Sequence, residues 1–117
     1  MKKILFAASE CLPFVKTGGL ADVVGSLPKA FKKSEYDIRV ILPMYECIKP
    51  QYKEKMETIY YFQMDNIIYV GVMKLELDGI TYYFIDNKQY FSGPKPYCDL
   101  FTDLERFAYF SKAVLSA

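Results

Sequence analysis

Residues 2–43 read KKILFAASECLPFVKTGGLADVVGSLPKAFKKSEYDIRVILP, and the order of apolar patterns within them decides the fold. Ile4, Leu5, Phe6, Ala7 and Ala8 form a continuous apolar run. That is the pattern of a strand in a parallel sheet covered on both faces, here spanning Lys2 to Ser9. A loop from Glu10 to Gly19 follows. Leu20, Val23, Val24, Leu27 and Phe31 then recur at i, i+3, i+4, i+7 and i+11, which predicts a helix burying that face. Pro28 removes the amide that would bond the carbonyl of Val24, so a kink or break is expected there. Lys29, Lys32 and Lys33 end the helix with cations, matching its negative pole. Asp37 to Pro43 is a second strand, carrying Ile38, Val40, Ile41 and Leu42. Strand, helix and strand within about forty residues is the length of a right-handed βαβ unit.

Beyond Pro43 the pattern changes. Thr58 to Met64 is aromatic and β-branched, as strands on a half-buried surface are. Asp65-Asn66 can turn the chain into Ile67 to Leu77, and Asp78-Gly79 is a strong hairpin signal before a return strand over Ile80 to Ile85. An antiparallel meander is therefore set into a parallel framework. Asp86 to Phe101, with Gly93, Pro94 and Pro96, reads as a loop. Thr102 and Glu105 have the spacing of a capping box, predicting that the last helix starts there. That helix is apolar over a broad arc (Leu104, Phe107, Ala108, Phe110, Val114, Leu115) and runs to Ala117 without a glycine stop, so a truncated domain is expected.

Composition narrows the function. Lys+Arg 15 against Asp+Glu 14 leaves a formal charge of +1, which draws the chain neither to nucleic acid nor to an anionic membrane. No apolar run reaches the ~20 residues that span a bilayer. Glu10 arrives too soon after Ile4 for a signal-peptide core, so a cytoplasmic protein is expected. Cys11, Cys47 and Cys98 are odd in number and widely spaced, which suggests reduced thiols rather than a zinc or redox pair, with Cys11 a bystander. The 117 residues contain no histidine, excluding a Ser-His or Cys-His pair within this chain.

The segment with chemistry in it is Lys16-Thr17-Gly18-Gly19-Leu20-Ala21-Asp22, between the first strand and the first helix. In α/β sheets ligands gather at the carboxyl ends of the strands. Two glycines let the backbone approach a ligand and adopt positive φ. The first helical amides have no internal partner, and with the helix dipole and the Lys16 charge they make an anion site, with phosphate or pyrophosphate as natural guest. The same glycines also suit a tight turn. Neither G-x-G-x-x-G nor a P-loop is present. Glu10, at the carboxyl end of the strand, is placed for ligand work. Asp22 either joins it or simply faces the positive end of the helix.

The stretch from Ser9 to Pro28 resembles the opening of bacterial glycogen synthases and plant starch synthases, S-E-x-x-P-x-x-K-x-G-G-L-A/G-D-V-x-G/A-x-L-P, and meets every fixed position. Val40-Ile41-Leu42-Pro43-Met44-Tyr45 is similar to the family's second strand and its V-x-x-P-x-Y ending. Phe84-Ile85-Asp86-Asn87, followed by Tyr90-Phe91, is similar to the end of a later strand, and Asp103 to Ala113 to the helix D-x-x-R-F-x-x-F-x-R/K-A. The loop from Pro94 to Phe101 departs from the family. It is shorter than usual, and only Tyr97 matches the tyrosine-rich run found there.

The resemblance implies a partial Rossmann-like N-terminal domain, residues 1–117, of a two-domain GT-B glycosyltransferase whose C-terminal nucleotide-binding domain is absent. It implies transfer of glucose from ADP-glucose to the non-reducing 4-hydroxyl of an α-1,4-glucan such as glycogen, with retention, and with no metal or other cofactor. By the same resemblance Lys16, Thr17, Gly18 and Gly19 lie at the donor phosphates. Glu10 and Asp22 shape the donor or acceptor pocket, and Tyr97 is the remnant of the acceptor loop. The family's catalytic histidine lies downstream, so the isolated chain is expected to be inactive. Two further readings are a non-enzymatic phosphate- or sugar-binding module, and a structural fragment whose uncovered faces pair with another copy.

Overall fold

The structure, a computed structural model, describes residues 2–64, 68–91, 96–97 and 100–117. The Asp65-Asn66 turn, Gly93, Pro94 and Cys98 lie outside them. Strand β1 (Lys2–Ala7) leads through the loop to helix α1 (Gly19–Ser26), a 3-10 turn (Leu27–Ala30) and strand β2 (Tyr36–Pro43). A short helix α2 (Pro50–Lys53) precedes the meander β3 (Glu57–Met64), β4 (Ile68–Leu77) and β5 (Ile80–Asp86). Helices α3 (Lys88–Phe91) and α4 (Leu100–Ser116) follow.

The five strands form one mixed sheet, β1-β2-β5-β4-β3. The pairs β1–β2 and β2–β5 are parallel, whereas β5–β4 and β4–β3 are antiparallel. The βαβ unit and the inserted meander are both as the sequence predicts. Asp78 and Gly79 have φ of 51° and 79°, the paired positive values that a tight hairpin turn needs. α4 covers one sheet face with Tyr109, Phe110 and Ala113. On the other face Phe14, from the β1–α1 loop, packs edge-on against Tyr52, Tyr82 and Phe84 at 4.8–5.1 Å.

Four expectations are corrected. β1 is not covered on both faces. It is the terminal strand of the sheet, and Leu5 is half exposed. α1 does not bury Leu20, Val23 and Leu27, all of which face solvent. It buries Ala21 and Val24, with Pro28 beyond. The helix is apolar nearly all round, so its periodicity cannot say which side meets the core. α1 also stops at Ser26, because Pro28 lacks the amide a longer helix needs, and so Lys29, Lys32 and Lys33 lie past its end. Finally, Leu100 and Phe101 are already helical, which makes Thr102 an interior residue rather than the N-cap of a capping box. The segment predicted as loop after Asp86 contains α3, and α2 has no counterpart in the sequence reading.

Candidate functional site

The β1–α1 loop sits at the carboxyl edge of the parallel strands. Its backbone closes on itself through bonds between Cys11 and Val15 and from the Leu12 amide to the Ala21 carbonyl. Gly25 allows this closeness, since a Cβ there would lie 2.9 Å from Leu12 Cβ. Glu10 organises the loop from inside. It is only 2% exposed, and its carboxylate accepts from the Thr17 amide (3.2 Å), the Thr17 hydroxyl and the Ala21 amide (3.1 Å). Ala21 is the third residue of α1, so Glu10 supplies the cap that Gly18 cannot. Burial pushes the Glu10 carboxyl up, but the Thr17 hydroxyl and the Ala21 and Thr17 amides outweigh it and hold it below its ordinary value of 4.5.

Lys16 and Asp22 form the exposed part. Lys16 Nζ donates to both Asp22 oxygens at 2.9 Å, and both side chains are about half exposed. Among the described residues, no hydrogen bond reaches the amides of Gly18, Gly19 or Leu20. Gly18 is extended (φ −160°), a conformation open to any residue, so the expected positive φ is not found in the Gly-Gly pair. What the pair provides is space. A Cβ at Gly18 would meet only Glu10 Oε1, at 3.9 Å, and one at Gly19 would meet nothing within 4 Å.

Tyr97 joins the loop from the far end of the chain. Its hydroxyl lies 2.6 Å from Ser9 Oγ, and Ser9 in turn offers its carbonyl to the Tyr45 hydroxyl at 2.6 Å. Arg106 holds this segment in place. It is buried, donates from Nε to the Tyr90 carbonyl (2.6 Å) and from Nη1 to the Pro96 carbonyl (2.9 Å), and lies over the rings of Tyr45 and Phe91. All the predicted site residues, Glu10, Lys16, Thr17, Gly18, Gly19, Asp22 and Tyr97, thus meet at one edge of the sheet, but in two tiers. Glu10 and Tyr97 support the loop, and Lys16, Asp22 and the free amides face outward. Sequence reasoning missed Ser9, Tyr45 and Arg106 as supports. The available signal for the last was its place on the i, i+3, i+4, i+7 stripe of Tyr109, Phe110 and Ala113. Cys11 is fully buried, and burial pushes its thiol up to about 12, which keeps it protonated and unreactive. Among the described residues no His, Cys, Asp and Glu cluster could hold a metal ion, and no helix is long and apolar enough to cross a membrane.

Fold and site together define an α/β protein of Rossmann-like type, with a glycine-bearing loop at the carboxyl edge of its parallel strands. The starch synthase catalytic domain family matches residues 3–117, and the chain belongs to that family. It is 55% identical over 120 residues to a glycogen synthase of Lachnospira eligens, and 57% identical over 119 residues to one of Lachnoclostridium phytofermentans. These alignments cover 100% and 99% of this chain but 25% of each relative, so the chain spans about a quarter of their length. The solved catalytic domain of starch synthase IV from Arabidopsis thaliana, bound to ADP and acarbose, superposes with a TM-score of 0.79 at 26% identity. It matches 97% of this chain and 24% of that one.

Proposed function

We propose that residues 1–117 are the N-terminal part of the catalytic domain of a glycogen synthase, with the nucleotide-binding domain in a further part of the polypeptide. The exposed apolar side chains of Leu5, Leu20, Val23 and Leu27 support this reading, because a completed domain would bury them. The reaction is transfer of glucose from ADP-glucose to the 4-hydroxyl at the non-reducing end of an α-1,4-glucan, with retention. The bond from C1 to the β-phosphate oxygen breaks, a bond from C1 to the acceptor O4 forms, and ADP and the acceptor proton depart.

The observation that carries this reading is the open space at Gly19 beside Lys16 and three amides that have no hydrogen-bond partner among the described residues. A diphosphate placed there accepts from the amides of Gly18, Gly19 and Leu20 and takes a share of the Lys16 charge from Asp22. Donors aimed at the leaving oxygen in advance stabilise the charge that grows on it. The exposed Lys16–Asp22 pair is worth only ~0–1 kcal/mol, so it yields readily to such a guest while keeping Lys16 in position beforehand. The test replaces the first quarter of the Lachnospira eligens glycogen synthase with this chain and follows transfer from labelled ADP-glucose to glycogen. An active chimera, slowed by roughly 10²-fold or more on Lys16→Ala, is expected. Residues 1–117 on their own are expected to be inactive, since they contain no histidine. A chimera inactive with ADP-glucose and UDP-glucose alike overturns the reading.

A further inference from the structure

Helix α4 carries two stripes on opposite sides. The inner one buries Arg106, Tyr109, Phe110 and Ala113 against the sheet. The outer one consists of Leu104, Ala108, Ser111 and Leu115, all exposed, with Leu104 at 59% and Leu115 at 89%. A helix on a domain surface ordinarily turns one apolar stripe to the core and polar residues to water. The outer stripe has steps of four, three and four residues, the alternation that keeps one seam of a helix against a partner helix. Leucines stand at its two ends and small side chains at its centre. A second helix can therefore come close at Ala108 and Ser111 while the leucines close the seam on either side.

The flanks of the seam say which helix fits. One flank holds Glu105 and Lys112, both exposed and seven residues apart, hence on the same side. The other holds Phe107 and Val114, both half-buried. Turned end to end, this helix complements itself about a point between Tyr109 and Phe110. Leu104 then meets Leu115, and Ala108 meets Ser111. Glu105 comes beside Lys112, and Phe107 beside Val114, each contact occurring twice. That is the self-matching pattern of a two-fold interface. A parallel arrangement would set Glu105 and Lys112 against Phe107 and Val114 of the neighbour, facing charge with apolar surface. Glu105 and Lys112 also border a hollow of about 390 Å³ over Met64, Ile68 and Tyr90, which gives the long side chains of a second copy room to lie.

We propose that α4 pairs antiparallel with α4 of a second copy of this chain along the Leu104 to Leu115 seam, with Glu105 of each copy beside Lys112 of the other. The pairing goes beyond the glycosyl-transfer reading and does not depend on it. Opposite charges on the flanks of a helix seam set partner choice and orientation more than raw affinity, and here they select this chain over an unrelated amphipathic helix.

The test uses the 117-residue chain carrying Leu20→Glu and Val23→Lys, which takes the exposed side of α1 out of play. Assembly is then expected to stop at two copies, because a two-fold interface closes on itself. Glu105→Lys and Lys112→Glu, each added singly, put like charges together twice per dimer. Each is expected to raise the dissociation constant by roughly tenfold or more in sedimentation equilibrium. The two singly reversed chains, mixed in equal amounts, are expected to form a mixed dimer in native mass spectrometry, and both reversals in one chain to restore its own dimer. Both side chains are exposed, so the far-ultraviolet circular dichroism of every variant should match that of the parent. A monomeric parent, single reversals that pair as tightly as the parent, or singly reversed chains without preference for each other overturns the proposal.

Discussion

Glu10 and Asp86 are two carboxylates at the same edge of the sheet with opposite effects on stability. Glu10 is buried but fully hydrogen-bonded, and its folded-state pKa lies below 4.5. Its contribution is therefore complete above that value and is lost as pH falls through the folded pKa. Glu10→Gln keeps the shape and removes the charge. It is expected to cost about 1–3 kcal/mol at neutral pH, and to flatten the acid limb of a melting-temperature profile below pH 4.5. For Asp86, burial raises the carboxyl above its ordinary 3.8, against the opposing charges of Lys88 and Lys53. The folded state then disfavours the ionised form, and stability falls as pH rises through the window that opens at 3.8. Asp86→Asn is expected to raise the melting temperature at pH 7 while leaving it unchanged at pH 3.

At the scale of elements, the contact of α1 with its own preceding loop is the tightest in the site. Even an alanine Cβ at position 25 would press on Leu12 Cβ at 2.9 Å and its carbonyl oxygen at 3.1 Å. Gly25→Val is expected to lower stability by about 1–3 kcal/mol, measured by urea denaturation, because both partners are backbone or near it and cannot swing aside. In the chimera the same change should lower transfer, since the amides of Gly18 to Leu20 move with the helix. The β1 and β2 strands, the break at Pro28 and the Asp78-Gly79 turn were all readable from residue order, because each depends on local periodicity or on φ. The buried side of α1 was not, because that is decided by Leu12 folding back onto it, its amide on the Ala21 carbonyl and its Cβ beside Gly25.

At the scale of the whole molecule, the open apolar surface includes the β1 edge and one side of α1. Among the described residues β1 has one unpaired edge, with Leu5 half exposed, and α1 shows Leu20, Val23 and Leu27 on one side. Open strand edges and apolar patches of this kind drive pairing of copies. The isolated chain is expected to self-associate, with a sedimentation coefficient that rises with concentration. Leu20→Glu together with Val23→Lys should suppress the rise, because both side chains already face water and their loss disturbs no packing. A chain that stays monomeric at high concentration would count against open faces as a driver of association.

The sequence by itself determined the class of fold and the location of the loop. Alternating and continuous apolar runs specify strands, a proline stops a helix, and the Ser9 to Pro28 stretch identifies the family. It also named Glu10, Lys16 and Asp22, though not their division of labour. Only the tertiary structure decided that Glu10 turns inward to cap α1, that Lys16 is held by Asp22, and that Arg106 brings Tyr97 to Ser9 across the length of the chain. The row Tyr61, Gly71 and Asp86 belongs to the same category, since three strands must be in register before those residues share a surface. The physical reason is common to all of them. Backbone preferences act within a few residues, whereas the partner of a buried charge or an exposed ring is chosen by packing between segments distant in the chain.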